Sequence, residues 1–184
     1  SGRRESESSP FFNISSFSPV ENLTEDQERA LSRIRSFPSD MFYLYGVTGS
    51  GKSEVYLRRA EDVIRSGKQV LYMVPEITLS HQVTGEVYQR FNKRVAILHS
   101  ALTPSQRLKV WREIMNGDVD LVVGARSSVF APFKNLGLII MDEEHEGAYK
   151  SGQSPRYSAR QVAQYRAGKW KAQLIMGSAT PSLE

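Results

Sequence analysis

GVTGSGKS, residues 46–53, decides how this chain is read. It satisfies G-x-x-x-x-G-K-[ST] at each fixed position, and both flanks suit the motif. MFYLY, residues 41–45, precedes it as an unbroken apolar and aromatic run that reads as a buried strand. Val55, Tyr56, Ala60, Val63 and Ile64 follow it at close to helical spacing. Strand, glycine loop and helix together converge backbone N–H groups and a helix N-terminus on an anion. The expected nucleotide site is Gly46, Val47, Thr48, Gly49, Ser50, Gly51, Lys52 and Ser53, with Glu54 opening the helix. Lys52 carries charge to the β- and γ-phosphates, and the Ser53 hydroxyl is a ligand for Mg²⁺. The competing reading, a glycine-rich turn with a chance lysine, leaves both flanks unexplained.

At 184 residues the chain is long enough for one domain with a real core and too short for two α/β domains. A net charge of +4 is compatible with nucleic acid without establishing it. With no cysteine, the chain has neither disulfides nor a thiolate zinc site. No apolar run approaches the roughly 20 residues of a membrane span, and no signal-peptide pattern opens the sequence. A cytoplasmic location without membrane contact is expected.

Residues 1–19 are polar and serine-rich and read as a linker or tag-derived tail, with Phe11, Phe12 and Phe17 expected to dock on the domain surface. Residues 20–184 form the domain. Its first helix runs over residues 24–36, where Thr24 and Gln27 have capping-box spacing. The Gln27 amide equally suits reading an adenine edge, and the sequence leaves both roles open. Beyond the loop, strands are expected at 69–74, 95–98, 120–123, 138–141 and 174–176. Helices are expected at 78–91, 103–116 and 156–167, the last broken by Gly168. Alternating strands and helices imply a mainly parallel sheet covered on both faces, with ligands beyond the carboxyl ends of the strands.

The loops after the strands carry the remaining chemistry. Asp142 ends the LIIM strand where a P-loop ATPase needs a carboxylate for Mg²⁺, and Glu143 is placed to orient or deprotonate the attacking water. A solvated acidic loop is the bland alternative. His145 reads as a hydrogen-bonding connector, and Ser178, Ala179 and Thr180 follow the last strand as a link to the acidic loop. Trp111 and Trp170 read as packing residues.

GSGKS, DEEH and SAT, in that order, resemble motifs I, II and III of superfamily 2 helicases. VPEITLSHQ, LHS, GARSSVFAPF, MDEEHEGAYK, PRYSAR and GSATPSLE are similar to the primosomal replication-restart helicases, over about residues 23–184. Ser53 stands where that family more often has threonine. The resemblance implies a P-loop NTPase of RecA-like, three-layer α/β fold, the first of two motor lobes. It also implies ATP hydrolysis with Mg²⁺, 3′-to-5′ movement on single-stranded and forked DNA, and restart of stalled replication. Partners implied are the second motor lobe and other domains of a longer bacterial chain, the primosome and single-strand-binding proteins. The family's zinc module has no counterpart in this segment. A second lobe supplies the arginine that completes the site, so the chain alone is expected to be nearly inactive.

The DNA side is expected at Thr78, within residues 75–78, and at Arg126 and Ser127, within residues 124–128. Tyr149, Lys150, Arg156 and Tyr157 interleave aromatic and basic residues, as base stacking and phosphate contact require. A structural ion pair at Arg126 and a solvated loop at 149–157 are the alternatives. Two further readings stay open: another superfamily 2 translocase or repair helicase, and a small P-loop phosphotransferase.

Overall fold

Val70, Tyr72 and Val74 point to one side of their strand and Leu71 and Met73 to the other, yet all five are buried. Such a strand must be covered on both faces, and the computed structural model, which describes residues 22–46, 51–79, 81–92, 94–142 and 157–178, builds that cover. Six strands alternate with five helices in chain order: α1 (Glu25–Ser36), β1 (Met41–Tyr45), α2 (Lys52–Arg65), β2 (Gln69–Met73), α3 (His81–Phe91), β3 (Val95–Leu98), α4 (Pro104–Asn116), β4 (Leu121–Gly124), β5 (Leu136–Met141), α5 (Ala159–Trp170) and β6 (Gln173–Ser178). Short 3₁₀ turns at Glu76–Thr78 and Arg126–Phe130 follow β2 and β4. Sheet order is β1-β6-β5-β2-β4-β3, and every pairing is parallel. One core cluster takes residues of α1, α2 and α3, and the other takes residues of α4, α5 and the Arg126–Phe130 turn. This is the three-layer RecA-like α/β fold expected.

Thr24 and Gln27 complete a capping box at α1, and Thr103 and Gln106 do the same at α4, where Pro104 takes the first helical position. Two buried glutamines stitch the layers. Gln69 Nε2 donates to the Ile114 and Val119 carbonyls, and its Oε1 accepts from the backbone N–H groups of Lys134 and Asn135. Gln173 Nε2 donates to the Ile34 and Phe37 carbonyls, while its Oε1 accepts from Arg59.

Two expectations change. MFYLY is a half-covered edge strand, because only β6 pairs with it among the described residues; Phe42 and Leu44 pack inward while Met41, Tyr43 and Tyr45 are exposed. Gly168 does not break the last helix. Ala159, Ala163 and Ala167 form a buried small-residue face, and Trp170 packs against the core beyond the glycine, so burial outweighs the ~1 kcal/mol that a helical glycine costs. That helix ends at Lys171, whose left-handed backbone (φ 52°) lets its N–H reach the Ala167 and Gly168 carbonyls.

Candidate functional site

β1 delivers Gly46 and α2 receives the chain again at Gly51. Gly51 is the N-cap of α2 at φ 82°, a left-handed conformation that favours glycine. A Cβ there would sit 2.1 Å from Gln27 Nε2 and would push that flexible amide aside. Gln27 donates from that nitrogen to the Gly51 carbonyl at 3.1 Å and accepts from the Thr24 N–H through Oε1 at 2.8 Å. The amide therefore caps α1 and also tethers that helix to the end of the phosphate loop.

Lys52 opens α2, and its ammonium donates to the Ser178 carbonyl at 2.7 Å and the Gly46 carbonyl at 3.2 Å. The Gly46 N–H donates to the same Ser178 carbonyl at 3.2 Å. Ser53 follows, half-buried in the first turn of α2. β6 lies between β1 and β5, so Asp142, directly after β5, comes to the same end of the sheet one strand away from the loop. The Asp142 N–H donates to the Met73 carbonyl, and its Oδ1 accepts from the Tyr56 hydroxyl at 3.0 Å. The cation of Lys52 and the carboxylate of Asp142 thus lie at the carboxyl ends of β1, β6 and β5, beside the first turn of α2 that carries Ser53. Hard oxygen donors such as these two side chains suit Mg²⁺.

Glu54 has another role at side-chain level. Its carboxylate is buried and accepts from Arg58 at 2.8 Å and from both terminal nitrogens of Arg90, each at 2.9 Å. Arg90 also pairs with Glu61. Burial pushes the Glu54 carboxyl up, but the hydrogen bonds from Arg90 and Arg58 outweigh it and hold the group below the usual carboxylate range. Only the Glu54 backbone remains with the loop, its N–H donating to the Gly51 carbonyl.

The two 3₁₀ turns lie side by side, since β2 and β4 are neighbours. Thr78 ends the first, where Ile77 is 92% exposed. In the second, the Arg126 guanidinium carbon stacks 3.6 Å from the Tyr157 ring centroid, and Phe130 meets that ring edge-on at 4.8 Å. Arg126 Nε and Nη1 are buried with no hydrogen-bond partner among the described residues, and no ion pair of Arg126 occurs among them. Ser127 beside it is exposed. Burial pushes the Tyr157 phenol up against the opposing pull of Arg126. Arg126 and Tyr157, read from separate stretches of sequence, therefore form one stacked unit.

Val47, Thr48, Gly49, Ser50, Glu143, His145, Tyr149, Lys150, Arg156, Ala179, Thr180 and the phenylalanines of the tail lie outside the described residues, as does the side chain of Thr78. No group of three or more metal-ligating residues occurs among the described ones, and none of their helices is long and apolar enough to cross a membrane. Sequence reading missed Tyr56 and Arg90. Tyr56 carried a signal: a buried tyrosine on the phosphate-loop helix must find a partner for its hydroxyl. Arg90 carried none, because its partners stand 29 and 36 residues away.

Comparison with known proteins agrees with this geometry. The sequence profile of the DEAD/DEAH box helicases matches residues 24–184. The chain is 55% identical over 163 residues to replication restart protein PriA of Treponema pallidum, covering 88% of this chain and 25% of that one. It is 48% identical over 166 residues to PriA of Bacillus subtilis, covering 88% and 21%. Among solved structures it resembles RecG bound to a three-way DNA junction, with a TM-score of 0.63 and 31% identity over 86% of this chain and 21% of that one. The chain spans about a quarter or less of the length of these relatives. With the phosphate loop on β1, the carboxylate after β5 and the profile across nearly the whole domain, the chain belongs to the DEAD/DEAH box helicase family.

Proposed function

We propose that this chain is the ATP-binding motor lobe of a 3′-to-5′ DNA helicase that acts in primosome assembly and in restart of stalled replication forks. The observation that supports the reading is that the Lys52 ammonium and the Asp142 carboxylate share the carboxyl end of the sheet at β1, β6 and β5, where α2 begins with Lys52 and Ser53. Similarity to PriA supplies the replication-restart part.

In this reading Lys52 releases its two carbonyls and turns to the β- and γ-phosphates. The N-terminus of α2 faces the same anion, and Gln27 reads the base from the far side of Gly51. Ser53 and Asp142 would hold Mg²⁺, which supplies charge neutralisation of the phosphates when bound. Glu143 orients or deprotonates the attacking water, and Ser178, Ala179, Thr180 and His145 relay nucleotide state. Arg126, Ser127, Thr78, Tyr149, Lys150, Arg156 and Tyr157 form the face toward single-stranded or forked DNA, where stacking and phosphate contact need no base reading. The intact protein is an ATP-dependent helicase of the bacterial cytoplasm, working with a second lobe, further domains of its own chain, the primosome and single-strand-binding proteins. The lobe alone turns over slowly, because an arginine in trans is worth about 10³–10⁵ in rate in related sites.

The test is nucleotide binding by this chain with Mg²⁺, comparing ATP with GTP, with and without short single-stranded DNA. Adenine-selective binding that DNA strengthens and Lys52→Ala abolishes is expected. Binding that ignores Lys52→Ala would overturn the assignment of the loop. In the longer protein, Glu143→Gln should retain ATP and stop its hydrolysis, and normal turnover would remove Glu143 from the mechanism.

A further inference from the structure

Tyr56 is fully buried, and its ring lies edge-on to Tyr72 with centroids 5.8 Å apart. A phenylalanine would fill that space as well, so packing alone does not account for the hydroxyl. The hydroxyl leaves the core and donates to Asp142 Oδ1 at 3.0 Å. To get there it crosses β6 at Gly177. A Cβ on Gly177 would lie 1.5 Å from the Tyr56 hydroxyl oxygen, 2.8 Å from the ring carbon bearing it and 3.2 Å from Asp142 Oδ1. Gly177 is not among the described glycines with positive φ, so space rather than backbone conformation requires glycine here. Three elements, α2, β6 and β5, thus meet at one hydrogen bond whose path is open only because residue 177 has no side chain.

We propose that Tyr56 is a positioning residue for the divalent cation site, its hydroxyl fixing the rotamer of the Asp142 carboxylate through the gap left by Gly177. This rests on the reading of Asp142 as a cation ligand. Ser53 and Tyr56 stand three residues apart on α2, so one helical face carries both the ligand hydroxyl and the residue that orients the opposite ligand. A bond from a hydroxyl to a carboxylate is charge-assisted and directional, which suits orientation more than stability. Removal of such outer partners weakens metal affinity about 10–100-fold in characterised sites.

The experiment is Mn²⁺ binding to this chain with saturating ADP, followed by electron paramagnetic resonance, beside ADP affinity in EDTA and thermal unfolding. Tyr56→Phe should weaken Mn²⁺ about 10–100-fold while ADP affinity in EDTA and the unfolding temperature hold. Gly177→Ala should produce the same loss, and the double variant should lose no more than either single one. Unchanged Mn²⁺ affinity in Tyr56→Phe would overturn the proposal, and so would a lowered unfolding temperature with Mn²⁺ affinity intact. If the unsubstituted chain binds neither ADP nor Mn²⁺, the proposed function itself fails, and that outcome is distinct because it precedes any substitution.

Discussion

The Lys52 ammonium and the Ser178 carbonyl are joined at 2.7 Å, across the seam between the first strand of the sheet and the last. Because it also donates to the Gly46 carbonyl after β1, this ammonium is a strut between the ends of β1 and β6. Lys52→Met keeps the aliphatic stem and removes both the strut and the charge proposed for phosphate. We expect ATP turnover to vanish in the longer protein and the chain to lose about 1 kcal/mol of stability, the scale of one part-exposed hydrogen bond. Turnover assays with chemical denaturation check the pair, and an unchanged denaturation midpoint would mean the strut carries no load.

Gln27→Glu separates two roles that alanine would remove together. Glutamate still completes a capping box with Thr24, so stability should hold within about 0.5 kcal/mol. It cannot donate to the Gly51 carbonyl, and nucleotide affinity should fall about tenfold if the tether shapes the loop. Calorimetric titration with ADP measures this, and equal affinity would reduce Gln27 to a cap.

Arg90→Met leaves the Glu54 carboxylate buried with Arg58 as its remaining partner among the described contacts. Breaking a buried pair from one side costs on the order of 3 kcal/mol. The acid limb should change as well. The folded pKa of Glu54 lies below its ordinary value of 4.5, so its contribution is present above 4.5 and is lost as pH falls through the depressed value. Glu54→Gln should thus flatten the fall in unfolding temperature below that pH. Glu86 has the opposite sign, because burial first and the nearby Glu54 second push it up. Glu86→Gln should raise the unfolding temperature at pH 7 and leave it unchanged in acid.

Gln69 satisfies four backbone groups with one amide. Gln69→Leu keeps the volume and takes the amide from the Val119 carbonyl and the Lys134 and Asn135 N–H groups, while the Ile114 carbonyl keeps the Gly117 N–H. We therefore expect a loss above 3 kcal/mol, given about 1–3 kcal/mol for each buried group left unpaired. Urea denaturation would read it, and a loss below 1 kcal/mol would mean that water replaces the amide.

Arg126→Ala should weaken single-stranded DNA binding and reduce the slope of log affinity against log salt by about one, as loss of one phosphate contact requires. Tyr157→Leu should weaken binding without changing that slope, because it removes the stacking surface beneath the guanidinium. Fluorescence anisotropy at several salt concentrations separates the two.

The alternation of strands and helices, and the positions of Lys52 at the start of α2 and of Asp142 directly after β5, were legible because each depends on neighbours within a few residues. MFYLY misled because an apolar run does not reveal how many neighbours its strand will have; Tyr43 and Tyr45 face outward only because β1 is at the edge. Gly168 misled because local propensity cannot anticipate Trp170 packing beyond it. Gln27 was legible as a cap or as an adenine reader; the structure shows the cap and adds a bond to the Gly51 carbonyl that neither reading contained, because it joins residues 24 apart in sequence. Tyr56, Arg90 and the stacking of Arg126 on Tyr157 depend on crossings between distant segments, which no local pattern encodes.

The register that pairs Met41 with Leu174 also governs the order in which the molecule can be built. Among the described residues β1 has β6 as its sole strand neighbour, so β1 waits in the growing polypeptide until β6, more than a hundred residues later, has left the ribosome. The middle of the sheet, β2 to β5, can condense earlier because all four of its strands precede β6 in the chain. Long-range parallel closure is the slow class of folding event. Nucleotide-binding competence should therefore appear only once β6 has paired with β1, and should be lost whenever that pairing is broken.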